Sequence, residues 1–249
     1  MFRSLRVIES RPPRPQSSGQ LKLLLLLTLL LVGGLAFPSL IRYKFLMYSL
    51  IALLLTQVMV RDVDTHAWAN FVYRLLGAVA VVAMWLWLLT PLDLIYSGVP
   101  LALSWGVLVA WSIRRLIMQI SREPVINEAM LMGAVAGYLH LGLTAALIMS
   151  AVETIEPGSF APLELSAEYM IGGSVNVLSV GDVFTQITYF AFVCLTTLGF
   201  GDITPMLPMA RTISVATSIV GPLYLAIVLG ILIGRFVSSS SRDQSSSRP

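Results

Sequence analysis

The chain has little charge. Of its 249 residues only 12% are Asp, Glu, Lys or Arg while 57% are hydrophobic, and mean hydropathy is +0.84. A soluble domain carries about 25% charged residues, so a water-solvated globule is a poor fit. There is a single cysteine, Cys194, which rules out an intrachain disulfide and a cysteine metal cluster. The two histidines, His66 and His140, stand in no metal-ligand spacing, and no Ser or Cys nucleophile motif is present. An enzyme is therefore not expected, and no cofactor is implied. The net charge of +3 forms no basic stripe, which argues against nucleic acid as a partner. Arg114 and Arg115 are adjacent and not repeated at every third position. A voltage sensor needs several charges within the membrane field, so a conventional arginine-rich sensor is absent.

What the chain has in abundance is long apolar runs. A membrane helix needs about 20 mainly apolar residues. Six runs approach or reach that length, at 21–37, 45–60, 71–89, 99–118, 126–152 and 212–237. Pro38 closes the first and Thr90-Pro91 the third. The expected fold is an all-α membrane protein with six transmembrane helices. Lipid is its solvent.

Positive residues fall mainly on one side of these runs. Arg3, Arg6, Arg11, Arg14 and Lys22 precede the first. Arg61 and Arg74 flank the second loop, and Arg114, Arg115 and Arg122 follow the fourth run. Arg235, Arg242 and Arg248 end the chain. The positive-inside rule then puts both termini in the cytoplasm, with Arg42, Lys44 and Arg211 as exceptions. Asp93, Glu153, Glu156, Glu164, Glu168, Asp182 and Asp202 lie outside. The first run also resembles a secretory signal. Its removal would spoil the charge pattern, so an uncleaved helix is expected. Residues 1–20 and 238–249 read as disordered cytoplasmic ends, the latter too few for a regulatory domain. Residues 21–122 form a four-helix region of unassigned role, and 123–237 a separate unit.

Within that unit, residues 153–182 are polar and turn-rich, with Pro157, Gly158, Pro162, Gly172 and Gly173. The apolar stretch 184–195 is too short to cross as a helix and reads as a re-entrant segment. The glycine-rich TTLGFGD follows directly. Non-helical backbone at membrane depth survives only where it is buried in protein or lines a watery cavity.

Residues 189–205 read YFAFVCLTTLGFGDITP. They resemble the pore helix and selectivity filter of the potassium channel family, most of all the bacterial two-helix pore domain, over roughly residues 180–237. The family pattern Thr-Val-Gly-Tyr-Gly-Asp stands here as Thr197, Leu198, Gly199, Phe200, Gly201 and Asp202, preceded by Thr196. The resemblance implies an ion channel with potassium as the permeant ion, in a plasma membrane of bacterial inner-membrane type. Carbonyls of Thr197, Leu198, Gly199 and Phe200 would replace the ion's water, with the Thr197 hydroxyl at the inner end. Carbonyls pointing one way need alternate residues with unusual φ, which Gly199 and Gly201 allow. One filter per chain implies a homotetramer.

The resemblance also implies supporting roles. Tyr189 and Phe190 take the place of an aromatic pair bracing the filter, and Tyr189 is expected to hydrogen-bond Asp202. Phe200 lacks the usual tyrosine hydroxyl. Val193 stands where some relatives carry a glutamate. Gly221 lies near the family's hinge glycine, and Pro222 favours a kink. Glu153, Glu156, Glu164 and Glu168 would form an acidic vestibule, Gly230 and Gly234 would serve helix packing, and His140 and Cys194 would be buried packing residues. The competing readings are a weakly selective cation channel and a non-conducting membrane sensor or scaffold. Under the scaffold reading the first four helices would be the functional part; otherwise they would shield the pore from lipid or bind an unidentified regulatory partner.

Overall fold

A computed structural model of the chain describes residues 18–34, 41–61, 67–89, 98–122, 128–163 and 177–246. Five helices come first: α1 (Ser18–Gly33), α2 (Ile41–Arg61), α3 (Ala67–Leu89), α4 (Gly98–Arg122) and α5 (Glu128–Ile155). A two-residue strand β1 (Phe160–Ala161), helix α6 (Val177–Leu195), strand β2 (Thr204–Pro205) and helix α7 (Pro208–Ser246) follow.

Among the described residues, four helices contain apolar stretches long enough to cross a membrane: Trp68–Leu86 in α3, Val99–Met118 in α4, Met130–Ile155 in α5 and Pro208–Gly234 in α7. The apolar part of α1, among the described residues, is Leu21–Gly33 and that of α2 is Leu46–Thr56. Helix α2 has 21 residues. Among the described residues, the apolar part of α6 is Asp182–Leu195.

Helix α5 is the shared wall. The leading helices pack in sequence, α1 on α2, α2 on α3 and α3 on α4, and both α1 and α4 lie on α5. Helices α6 and α7 take the rest of α5's surface and also meet each other. One core gathers Tyr48, Tyr73, Trp105 and Leu108 of the leading helices with Leu143 of α5 and Phe184 of α6. Tyr48 sits edge-on to Trp105 at 5.4 Å and to Phe184 at 6.0 Å, an arrangement aromatic quadrupoles favour. A second core, including Met149, Phe160, Ile187, Phe190 and Cys194, lies behind residues 196–203.

Helix α7 departs from expectation at both ends. It starts at Pro208, whose fixed φ suits a first helical turn, and continues to Ser246. The segment expected as a disordered tail from residue 238 is thus helical to 246. Each added residue of an existing helix gains one hydrogen bond, and neither Gly nor Pro interrupts 235–248. Pro91, Asp93, His66, Glu164, Glu168, Gly172, Gly173 and the arginines of 1–17 lie outside the described residues.

Candidate ion-conduction site

Helix α6 ends in a way that begins the next segment. The Leu198 N–H donates to Val193 O at 3.1 Å, and the Thr197 N–H to Cys194 O at 3.0 Å. This nested pair is the Schellman ending, in which the residue past the cap takes a left-handed conformation. That residue is Thr197, with φ 58°. Glycine is the usual occupant. A β-branched residue there is an outlier, costing about 1–3 kcal/mol.

Beyond Thr197 the left-handed conformation recurs at every second residue. Gly199 has φ 60° and Gly201 φ 78°, while Leu198 and Phe200 are not in that region. Successive carbonyls of an extended chain point to opposite sides. Alternating the sign of φ turns them toward one side. A Cβ on Gly199 or Gly201 would meet nothing within 4 Å, so the glycines serve backbone conformation, not space. The Thr197 hydroxyl donates to Thr196 O at 2.7 Å, leaving its lone pairs as acceptors. Among the described residues no three His, Cys, Asp or Glu side chains come together. The oxygens this segment can offer a cation are backbone carbonyls and a threonine hydroxyl.

The far end is held by Asp202. The Tyr189 hydroxyl donates to Asp202 Oδ2 at 2.6 Å, and the Ile203 N–H to Oδ1 at 3.0 Å. The Tyr189 hydrogen bond, aided by Ile203 N–H, holds the Asp202 carboxyl below the usual carboxylate range. Phe190 points the other way and packs on Phe160 at 5.5 Å. Val193 is buried. Behind the segment is a cavity of about 320 Å³ lined in part by Val193, Cys194, Thr197, Gly199, Ser214 and Ser218.

At the inner end, Tyr138 of α5 donates its hydroxyl to Leu195 O at 3.4 Å. Gly221 of α7 lies against the same carbonyl, where a Cβ would collide with it. Gly221 is buried and Pro222 exposed, and α7 runs through both as one helix. Close approach to α6 fits the packing role that a small residue in a membrane helix allows for Gly221 beside the hinge role. Gly230 and Gly234, expected at packing contacts, have open space around them in the single chain.

Other expectations meet mixed outcomes. Both oxygens of Glu153 accept backbone N–H groups of its own loop. Glu156 is exposed. His140 is buried, its Nδ1 bonded to Ala136 O at 2.5 Å. Arg115 is buried with its guanidinium 4.6 Å above the Tyr73 ring and its Nη2 3.1 Å from Asn70 Oδ1. Tyr73 and Asn70 lie far from Arg115 in sequence, so no local pattern signals this.

Residues 165–238 match the family model described as an ion channel. The matched span holds α6, residues 196–203 and most of α7, and covers under a third of the chain. It supports an ion channel function, and with the four apolar helices it indicates a multi-pass membrane protein. The first five helices fall outside the ion channel match. No curated protein matches the chain.

Proposed function

We propose that four copies of this chain form a potassium-selective channel whose conducting path is lined by Thr197, Leu198, Gly199, Phe200 and Gly201. The observation that carries this reading is the alternation of left-handed backbone at Thr197, Gly199 and Gly201. It aims consecutive carbonyls to one side, as replacement of an ion's hydration shell requires. Four chains around an axis complete each ring of oxygens, with potassium ligated at Thr197, Leu198, Gly199 and Phe200.

Two further features support assembly. Leu198 and Phe200 are 60% and 64% exposed in the single chain, large apolar side chains that neighbouring copies would cover. Helix α6 points its C-terminal end at the inner mouth, where about half a negative elementary charge favours a cation. The topology we assign is six membrane-embedded helices, α1–α5 and α7, with α6 re-entrant from outside and both termini cytoplasmic in a cell membrane. Gly221 and Pro222 are the assigned bend of α7. Gating by a conventional voltage sensor is not part of the reading. Arg115, the buried arginine of α4, is stacked on Tyr73 and shows no periodic partner charges in sequence.

Rubidium and sodium uptake into proteoliposomes holding the purified full chain tests this. Rubidium flux should exceed sodium flux by more than an order of magnitude and be blocked by barium, and native mass spectrometry should find four chains. Equal fluxes, no flux, or a stable monomer would overturn it.

A further inference from the structure

The turn after α5 is tied to the outer end of the 196–202 segment, and one carboxylate organises the turn. Glu153, in the last turn of α5, accepts the Gly158 N–H at 2.7 Å on Oε1 and the Phe160 N–H at 3.0 Å on Oε2. Between them, the Ser159 hydroxyl and N–H both donate to Glu156 O, at 2.6 and 3.2 Å. The turn therefore delivers Phe160 and Ala161 in a fixed direction. They pair antiparallel with Pro205 and Thr204. Met206 N–H donates to Ser159 O at 2.8 Å, and the Thr204 hydroxyl to Ala161 O at 3.1 Å. Thr204 is two residues past Asp202. A second route runs through the Phe160 ring, which is buried on Phe190, the neighbour of the Asp202 donor Tyr189.

We propose that Glu153 is a positioning residue for the outer end of the selectivity filter, acting through the Phe160–Ala161 strand on residues 202–205. This rests on the channel reading above. A carboxylate with both oxygens engaged by N–H groups makes charge-assisted bonds, stronger than neutral ones. An amide keeps only one acceptor oxygen, and its NH₂ meets an N–H donor, which cannot bond to it. Losing one anchor frees the strand and, through it, the residues that hold Asp202. The conducting filter binds potassium and a slackened one does not, so potassium stabilises the ordered form by mass action. A defect in filter positioning is therefore relieved by potassium, whereas general damage to the fold is not.

The experiment uses the full chain in proteoliposomes. Glu153→Gln should make potassium flux decay several-fold faster than wild type at low external potassium, and high external potassium should restore the wild-type time course. Native mass spectrometry should still show the wild-type assembly. Thr204→Val leaves the Glu153 turn intact and removes the hydroxyl that donates to Ala161 O and also lies 3.7 Å from Met206 Sδ. It should give the same potassium-relieved decay to a smaller extent, and it keeps the test open should Glu153→Gln not assemble. A conducting wild type with both variants decaying at its own rate overturns this inference alone, as does accelerated decay that potassium does not relieve. A wild type that carries no potassium overturns the channel reading and this inference with it.

Discussion

Helices α5 and α7 are both long and apolar, yet the chain treats them differently. Of the membrane-length stretch in α5, 61% is buried within the chain; in α7 the figure is 22%. Helix α5 packs against α1, α4, α6 and α7, and its Tyr138 hydroxyl reaches across to Leu195 O at the end of α6. Helix α7 leaves Ile219, Leu223 and Leu229 exposed, and the carbonyl-bearing segment beside it is as open. Helix α5 is thus a finished, enclosed element, while the face that would line the proposed pore is unfinished in one copy. Lipid satisfies exposed leucine and isoleucine, but not the exposed carbonyls of a non-helical segment. In the proposed channel the incomplete face is where other copies would sit, beside the carbonyls assigned to the conducting path.

The sharpest way to break this contrast is at the open segment itself. Gly201→Ala has ample room, so a steric account predicts little. The conformational account predicts loss of conduction, because a Cβ at φ 78° costs about 1–2 kcal/mol in each copy, multiplied around a tetramer. Rubidium flux should fall to background while native mass spectrometry still finds the wild-type assembly. Normal flux would remove the alternating backbone as the basis of function.

A smaller effect is expected where α7 seats against the end of α6. Gly221→Ala places a methyl group against Leu195 O, and overpacking of this kind costs about 1–3 kcal/mol. Gly230→Ala, further along α7, meets nothing in the single chain. Thermal unfolding in detergent should separate them, with Gly221→Ala clearly less stable than wild type and Gly230→Ala close to it. Equal stability would show that α7 does not seat against α6 as described.

Legibility follows the same division. Residues 196–202 were readable because glycine spacing, a short apolar helix and a following span are local patterns with few physical solutions. Even there Thr197 was missed as a left-handed residue: nothing in a threonine announces that conformation, and the cause is the hydrogen bonds closing α6. The β1–β2 pair was invisible because two-residue strands have no periodicity. Glu153 was read as vestibule charge, since a sequence cannot say which N–H groups a carboxylate will meet. Burial of Arg115 depends on Asn70 and Tyr73, some forty residues earlier.

The Tyr189–Asp202 pair gives a pH test of the open segment. The hydroxyl bond lowers the Asp202 pKa, so its contribution is full above the ordinary carboxylate pKa of about 3.9. It is lost as pH falls through the lowered folded-state value. Tyr189→Phe removes the main cause of the shift. Flux should then become acid-sensitive at a higher external pH than in wild type, with little change at neutral pH. A pH profile of rubidium flux that coincides with wild type would show that the pair does not govern Asp202.

The gentlest test lies in the leading helices. Arg115 is buried with its guanidinium over Tyr73 and donates to Asn70. Lysine keeps the charge but loses the planar group that stacks and forks. For Arg115→Lys the lost stacking amounts to about 1–2 kcal/mol at a desolvated site, and a modest drop in thermal stability should follow. The rubidium-to-sodium flux ratio should stay as in wild type, because selectivity in the proposed channel depends on backbone oxygens held by α6 and α7. A changed ratio would mean that the leading helices shape the filter, and their separation from the open pore face would fail.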